Sequence, residues 1–309
     1  MTSANLPATL LMIRPGAFGF NPETAESNVF QKKTNLPSDK LQKKALAEFE
    51  KMVVQIKNAG VEVFVFEDLN KETPDSIFPN NWVSFHDDGT VVLYPMMSPT
   101  RRKERRMDIL ESLRKNFKIS RIIDLTMHEE EARFLEGTGS IVFDHKNKIA
   151  FAAHSQRTNL QLFNELCSVL GYQPISFKSN DKNEIPIYHT NVMMALADEF
   201  VIICLQSIAD EKEKTKVVSA LKASGREIID ISFDQMNNFA GNAFFVKNSQ
   251  NQPFLIISQR AFCSLNQNQT EKIATSCKSI LPAVETIENT GGGSVRCMVS
   301  EINLPRLIK

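Results

Sequence analysis

The chain has 309 residues, 42% of them hydrophobic, which is enough to bury a substantial core. Its 36 basic and 36 acidic residues give a formal net charge of zero, so nothing draws the whole chain to nucleic acid or to an anionic membrane. No apolar run is long enough for a membrane span or a signal-peptide core, and five cysteines without a Cys-x-x-Cys pair favour a reducing cytoplasm over a disulfide scaffold or a structural zinc site.

The first predicted elements are a strand at 10–15, an amphipathic helix near Ser38–Asn58 and a strand at 61–67. Between the first strand and the helix lies a loop, 16–28, with helix-breaking Gly and Pro and two Phe residues. We weigh two interpretations of this loop equally, as an ordinary surface loop and as a cover over a functional site.

The rest of the chain repeats a unit of roughly 50 residues, in the order strand, turn, strand, helix, strand. The hairpin strands are rich in Val, Ile and Phe, and the helices carry apolar residues at the 3.6-residue period. The predicted first strands are 81–86, 140–144, 191–196 and 242–247, the second strands 90–96, 149–155, 200–207 and 253–259, the helices 101–117, 158–171, 210–225 and 268–280, and the third strands 120–125, 174–177, 227–232 and 283–288.

A basic cluster, 101–106, begins the first of these helices. Because Glu104 interrupts it and the following residues are amphipathic, we predict a solvated helix face whose first residues can still reach a ligand.

The last segment, 294–302, is predicted to be a strand that pairs beside the strand at 10–15 and so completes a fifth unit. No linker or low-complexity stretch divides the chain, so we predict a single domain over residues 1–309. The predicted fold is α/β, a five-bladed α/β propeller of repeated ββαβ units with pseudo-fivefold symmetry, closed by the C-terminal strand.

Polar residues recur just before the first strand of each unit. In a rotationally repeated fold these equivalent positions point to the same end of the central axis, where buried polar groups are costly unless they are paired. We therefore predict that five side chains converge on a site: Asn81, Glu136, His189, Asn242 and Cys297.

Three of these side chains have the chemistry of a nucleophilic site. Cys297 follows three consecutive glycines, which let a ligand approach the main chain, and we predict that its thiolate is the nucleophile rather than a structural core cysteine. His189 is the predicted general acid and base, and Glu136 is predicted to orient its imidazole. The other four histidines show no metal-ligand spacing, so we predict no metal site among them.

Five motifs, in this order, resemble the guanidine-group-modifying superfamily: TPDSIFPNNW, LEGTGS, YHTNVMM, FAGNAFF and GGGSVRCMVSEI. That superfamily contains arginine deiminase, dimethylarginine dimethylaminohydrolase and glycine amidinotransferase. The opening MIRPGAFGFNPETAESNVFQ is most similar to the citrulline-utilisation hydrolase subgroup. The resemblance implies the pentein fold, which is a five-bladed α/β propeller, with a Cys–His–Glu site that uses no metal or organic cofactor.

The resemblance also assigns roles to single positions. Cys297, His189 and Glu136 match the nucleophile, the acid/base and the acidic residue. Asp75 falls where relatives contact the amino-acid end of the substrate, and the expected substrate-binding residues are Asp75, Phe78, Asn81, Arg101, Arg102, Asn191 and Asn242. Arg101 and Arg102 lie near the position where dimethylarginine-hydrolysing relatives hold the substrate carboxylate.

Two positions depart from the arginine-acting members, which usually carry Asp where Asn81 stands here, and among which the deiminases carry another Asp where Asn191 stands. A guanidinium cation favours charged acceptors, whereas a neutral ureido group with a carbonyl and amide hydrogens suits Asn. We therefore expect hydrolysis of citrulline to ornithine, ammonia and carbon dioxide. The alternatives are an arginine deiminase or dimethylargininase activity that gives citrulline, an amidinotransferase, and a noncatalytic protein that binds arginine metabolites. A small-molecule amino acid is the expected partner, and a homodimer is left open.

Overall fold

The computed structural model describes residues 9–307. Within them, the strands are β1 Thr9–Arg14, β2 Glu62–Glu67, β3 Val83–Phe85, β4 Thr90–Leu93, β5 Arg121–Asp124, β6 Ile141–Asp144, β7 Ile149–Ala153, β8 Gln173–Phe177, β9 Met194–Leu196, β10 Phe200–Ile203, β11 Glu227–Asp230, β12 Phe244–Lys247, β13 Pro253–Ile256, β14 Lys278–Ile280 and β15 Ser300–Glu301. The α-helices are α1 Pro22–Ala25, α2 Ser38–Asn58, α3 Pro99–Arg102, α4 Met107–Leu113, α5 Gly137–Ser140, α6 Leu160–Leu170, α7 Glu211–Ala223, α8 Phe233–Asn237, α9 Gln259–Ser264, α10 Gln267–Ser276 and α11 Glu285–Gly291. Single 3-10 turns occupy Pro79–Asn81, Thr126–Glu129, Thr190–Val192 and Leu205–Ser207.

The strands form five three-stranded sheets with the same internal order. In each sheet the central strand pairs antiparallel with one neighbour and parallel with the other, as where β4 pairs with β3 and β5. A parallel connection needs a crossover, and in each sheet a helical segment supplies it. The α/β class and the repeated ββαβ unit are therefore present in the molecule.

The fifth sheet joins the two ends of the described chain. β1 pairs in parallel with β2 and antiparallel with β15, in the register Leu10 to Glu301. The predicted pairing of the last strand beside the first is confirmed. The predicted strand 294–302 is wrong in extent, because only Ser300–Glu301 has strand structure and Cys297 lies in the turn before it.

Helix α2 shows why the sequence folds in this way. Its buried residues follow the helical period and include Leu41, Ala45, Phe49 and Met52, so one face packs into the core while the lysine-rich face meets solvent. Ser38–Asn58 agrees with the predicted helix. Similar apolar faces pack α6 on β8 of its own unit and α7 on both β8 of the preceding unit and β11 of its own.

The fourth unit differs from its prediction. The helix predicted at 268–280 ends at Ser276, and its last residues form β14, which pairs in parallel with β13. The strand predicted at 283–288 is absent, and its residues 285–288 belong to helix α11. Val284 and Ile287, three residues apart, are both buried in the core, which is helical spacing rather than the alternation of a strand.

The helix predicted at 101–117 is also wrong, because it breaks into α3 and α4. Arg106, which precedes α4, has an extended backbone. Arg101 and Glu104 are not on a solvated face: only 3% and 5% of their surfaces are exposed, and they form a buried ion pair. A break in the helix lets this pair turn inward while α4 keeps its own apolar face on the core.

Candidate active site

The turns that precede the first strands bring the predicted polar residues together. Asn81 ends a 3-10 turn before β3, Glu136 precedes α5, and His189 precedes the 3-10 turn before β9. Asn242 lies between α8 and β12, and Cys297 lies between α11 and β15. All five side chains are at most 4% exposed. Hydrogen bonds connect them in two groups, Cys297 with Asn242 and Glu136 with His189 and Asn81.

The Cys297 thiol faces two side-chain amides. Its Sγ lies 3.3 Å from Nδ2 of Asn242 and 3.6 Å from Nδ2 of Asn191. Asn242 is fixed in turn, since its Oδ1 accepts the backbone N–H of Arg296 at 3.1 Å and its Nδ2 donates to the Asn191 carbonyl at 2.9 Å. Burial raises the pKa of the Cys297 thiol, while Asn242 and the charge of Arg296 oppose that rise. The surroundings therefore hold a protonated thiol beside donors that suit a thiolate.

His189 and Glu136 form a buried pair, with 2.8 Å between Nε2 and Oε2. Burial lowers the pKa of His189 to about 4, although Glu136 raises it. Burial opposes ionisation of Glu136, but Arg157 and His189 together hold the pKa of its carboxyl well below the usual range. The neutral imidazole donates Nε2–H to the carboxylate, so Nδ1 is the nitrogen free to accept a proton.

Gly139 makes room for this arrangement. A Cβ at this position would lie 2.3 Å from Nδ2 of Asn81 and 2.8 Å from both Nδ1 and Cε1 of His189. The imidazole edge and the Asn81 amide therefore pack side by side against bare backbone. No side chain larger than hydrogen fits at residue 139 without moving one of them.

Arg157 is a site residue that sequence reasoning missed. Its Nη1 lies 3.4 Å from Oε2 of Glu136, and its Nη2 donates to the Thr24 carbonyl at 2.9 Å and to Oγ of Ser27 at 2.6 Å. It thus ties the Glu136 carboxylate to the loop 16–28. One signal was available: a Ser-Gln-Arg tripeptide follows the second strand in two units, at 155–157 and 258–260.

Asn81, Arg157, His189 and Cys297 line a cavity with an empty volume of about 270 Å³, whereas Glu136, Asn191 and Asn242 are not part of its wall. The loop 16–28 lies over it, because Thr24 and Asn28 are part of its wall and Nδ2 of Asn28 donates to the Gly292 carbonyl at 3.1 Å. Of the two interpretations of this loop, the cover agrees with the structure. The wall consists of Thr24, Asn28, Gln31, Asp75, Phe78, Asn81, Arg101, Arg157, Tyr188, His189, Gly291, Gly292, Gly293 and Cys297.

Asp75 faces the cavity with one carboxylate oxygen unused by the described residues. Oδ2 accepts from Asn21 at 2.8 Å and from Thr24 at 3.1 Å, whereas Oδ1 is buried without a hydrogen-bond partner. Burial raises the pKa of this carboxyl against the opposing charge of Arg101. A cationic group of a ligand would pair with Oδ1 and stabilise the charged form.

Arg101 and Phe78 line the cavity as predicted, but Arg102 does not. Arg102 turns away and donates to the backbone carbonyls of Met96 and Met97, at 2.9 and 3.3 Å. The predicted contact of Arg102 with a substrate is therefore not favoured by its position. Asn191 and Asn242 approach the sulfur rather than the open cavity.

Among residues 9–307, no group of three or more His, Cys, Asp or Glu side chains is arranged to hold a metal ion. In the same part of the chain, no helix is both long enough and apolar enough to cross a membrane.

A protein-family model described as "N,N dimethylarginine dimethylhydrolase, eukaryotic" matches residues 14–304. The chain belongs to this family. It is therefore a pentein-superfamily protein, related to hydrolases that act on the C–N bonds of guanidino groups. The residues matched by the family model include all the polar residues of the candidate site described above. No curated protein sequence gives a significant match.

Solved structures share the dimethylargininase fold of this chain at low sequence identity. The N-terminal domain of ArgZ, covalently bound to a reaction intermediate, superposes with a TM-score of 0.73 at 18% identity, covering 96% of this chain and 98% of that one. Full ArgZ, an arginine dihydrolase from cyanobacteria, gives 0.74 at 19% identity over 97% of this chain, which spans 41% of the ArgZ chain. A dimethylarginine dimethylaminohydrolase adduct gives 0.63 at 17% identity, over 98% of this chain and 100% of that chain.

Proposed function

We propose that the protein is a cysteine-dependent hydrolase of citrulline, which it converts to ornithine, ammonia and carbon dioxide. One observation carries the proposal. A buried cysteine faces the neutral side-chain amides of Asn191 and Asn242 at its sulfur, and it shares a cavity with a neutral histidine paired to a carboxylate. We further propose that the five sheets close into a propeller around this cavity, as one domain.

The first step is attack by Cys297. Nδ1 of His189 takes the thiol proton, and Glu136 stabilises the imidazolium that forms. The thiolate gains two hydrogen bonds from the amides of Asn191 and Asn242. It then adds to the ureido carbon of the substrate and forms a tetrahedral adduct.

In the second step, the imidazolium of His189 gives its proton to the nitrogen of the departing ornithine. The C–N bond breaks, and a carbamoyl group remains on the sulfur of Cys297. His189, again neutral, then takes a proton from water as the water attacks the carbamoyl carbon. The thiol is restored, and the released carbamic acid falls apart to ammonia and carbon dioxide.

The charged groups on the cavity wall suit the amino-acid end of this substrate. The unused Oδ1 of Asp75 is a buried acceptor for the α-ammonium group. Arg101 and Arg157 are the cations on the same wall, and we assign the α-carboxylate to them. Thr24 and Asn28 then cover the bound amino acid.

Citrulline is preferred to arginine because of three amides, two at the Cys297 sulfur and one in the wall of the same cavity. Asn81, Asn191 and Asn242 are all neutral. A guanidinium cation here would meet amide donors rather than carboxylate acceptors, and its desolvation would be poorly compensated. A ureido group is neutral and carries an oxygen that accepts hydrogen bonds.

A second candidate is an arginine deiminase or dimethylargininase activity that gives citrulline. The family match favours it, since that family is described by dimethylarginine hydrolysis. The same cysteine and histidine would serve, with ammonia or dimethylamine as the leaving group. An amidinotransferase would pass the adduct to an amine instead of water.

The test is a product assay with separate incubations of citrulline, arginine, dimethylarginine and agmatine, with and without an added acceptor amine. Ornithine formed from citrulline without the amine supports the proposal. Product that requires the amine identifies a transferase, and citrulline formed from an arginine derivative identifies the second candidate.

A further inference from the structure

Arg101 holds the side chain of Asn81 in one orientation. Its Nη1 donates to Oδ1 of Asn81 at 2.5 Å, and its Nη2 donates to the Phe78 carbonyl at 3.1 Å. Glu104 fixes the guanidinium from behind, accepting Nε and Nη2 at 2.9 Å each. Arg101, Glu104 and Asn81 are at most 5% exposed, so this clamp is shielded from water.

The clamp formed by Arg101 and Glu104 determines which end of the Asn81 amide points away from Arg101. A guanidinium has donors only, so the atom that Asn81 turns towards Arg101 has to be its oxygen, and Nδ2 points the other way. Nδ2 makes one long contact, 3.5 Å to the Glu136 carbonyl. It packs over Gly139 beside the edge of His189 that carries Nδ1.

We infer that Asn81 donates a hydrogen bond from Nδ2 to the oxygen of the substrate's ureido group, and that the Arg101–Glu104 clamp fixes this polarity. The inference rests on the proposed citrulline hydrolysis. Asn81 is a neighbour of the acid/base His189, and its side chain is part of the cavity wall. Its second N–H is therefore available to a ligand held against Cys297.

This donor acts in the reaction as well as in binding. When the Cys297 thiolate adds, the electron pair of the carbonyl bond moves onto oxygen, and the Asn81 N–H stabilises the resulting oxyanion. The pair returns to re-form the C=O bond as the C–N bond to ornithine breaks, with the proton supplied by His189. The oxygen stays in the carbamoyl adduct, so Asn81 contacts it in both half-reactions.

The same polarity discriminates between substrates. The carbon of a guanidinium bears only nitrogen, and at neutral pH these nitrogens offer hydrogens and no acceptor, so Nδ2 of Asn81 would face another donor. A ureido oxygen removes that conflict. Glu104 is a positioning residue in this account, because it acts on Asn81 through Arg101. Arg101 orients Asn81 and also meets the α-carboxylate, a group that citrulline and arginine share, so the preference between these two substrates reports on the orientation of Asn81.

The experiment compares three variants with the wild type. Asn81→Asp replaces the donor with an acceptor. A double variant, Arg101→Met with Glu104→Met, removes the clamp without leaving a buried charge unpaired. Arg102→Met is the matched control, because the adjacent arginine bonds to backbone carbonyls outside the cavity. Circular dichroism and melting temperatures establish that each variant is folded.

We expect kcat on citrulline to fall on the order of 10²–10³-fold in Asn81→Asp, which is the loss typical of one oxyanion donor. In a Cys297→Ala background, calorimetry should show weaker citrulline binding and relatively stronger arginine binding for Asn81→Asp. The clamp variant should shift both readouts in the same direction, while Arg102→Met should not.

The inference would be overturned if the clamp variant and Asn81→Asp were both folded and both kept the wild-type kcat and the wild-type preference for citrulline over arginine. That result would leave the proposed citrulline hydrolysis intact. A wild-type enzyme that releases no ornithine from citrulline would instead overturn the proposed function itself. The two failures are therefore distinguishable in one set of assays.

Discussion

Replacing Gly139 with alanine tests whether the imidazole and the Asn81 amide have to occupy their observed positions. The new methyl carbon would lie 2.8 Å from Nδ1 and Cε1 of His189 and 2.3 Å from Nδ2 of Asn81. Both distances are far shorter than carbon contacts in packed proteins, which are about 3.5–4.0 Å. His189 is 2% exposed and bonded to Glu136, so its ring cannot move away without weakening that pair.

The magnitude follows from the displacement. Shifts on the order of 1 Å in a catalytic group cost about 10²-fold in rate, so we expect kcat to fall about 10²-fold in Gly139→Ala. Overpacking should cost about 1–3 kcal/mol of folding stability. The enzyme should therefore remain folded while most of its activity is lost.

The assay is steady-state ornithine release with urea unfolding in parallel. Gly19→Ala is the matched control: nothing lies within 4 Å of a Cβ at Gly19, so neither activity nor stability should change appreciably. A Gly139→Ala enzyme that is as active as the wild type would refute the reasoning, since it would mean that the His189 ring can move aside without loss of activity.

Three further predictions concern the same cavity. Cys297→Ser should remain folded but form no product and no covalent adduct, as intact-protein mass spectrometry would show; an adduct in this variant would mean that another residue is the nucleophile. The free energy of unfolding of the wild type exceeds that of His189→Gln by an amount that should shrink by about 2 kcal/mol when the pH falls from about 7 to about 5. The reason is that the pKa of His189 is about 4 in the folded protein and 6.5 in the unfolded chain. The unfolded chain takes up that proton first, so the stability contribution of neutral His189 is lost as the pH falls, and a constant gap in urea unfolding would contradict the low pKa. Asn28→Ala removes the hydrogen bond between the covering loop and the Gly292 carbonyl and should raise KM more than it lowers kcat; an unchanged KM would mean that the loop does not retain the substrate.

The repeated unit and the polar residues that precede its first strand could be predicted from the sequence, because both depend on local patterns. Helix α2 and the pairing of β15 with β1 follow from apolar periodicity and from the two half-units at the ends. The error in the fourth unit came from Lys278–Ile280, where a short strand directly follows helix α10, and neither length nor propensity separates the two.

The site was predictable where it follows the repeat and missed where it depends on packing. Arg157 lies outside the repeated entry positions, and its role comes from contacts with Glu136 and with the loop over the cavity. The burial of Arg101 against Glu104 likewise arises from tertiary contacts, since a cluster of charges in sequence usually indicates a solvated face. The single-domain organisation and any homodimer stay predictions.

The most direct test of the central claim is Cys297-dependent release of ornithine from citrulline. Purified wild-type protein and Cys297→Ala would be incubated with citrulline, and ornithine and ammonia would be followed over time. The account predicts ornithine and ammonia in equal amounts from the wild type and neither from the variant. Two results would contradict it. One is a folded wild-type enzyme that hydrolyses an arginine derivative but leaves citrulline intact, and the other is equal release of ornithine by Cys297→Ala.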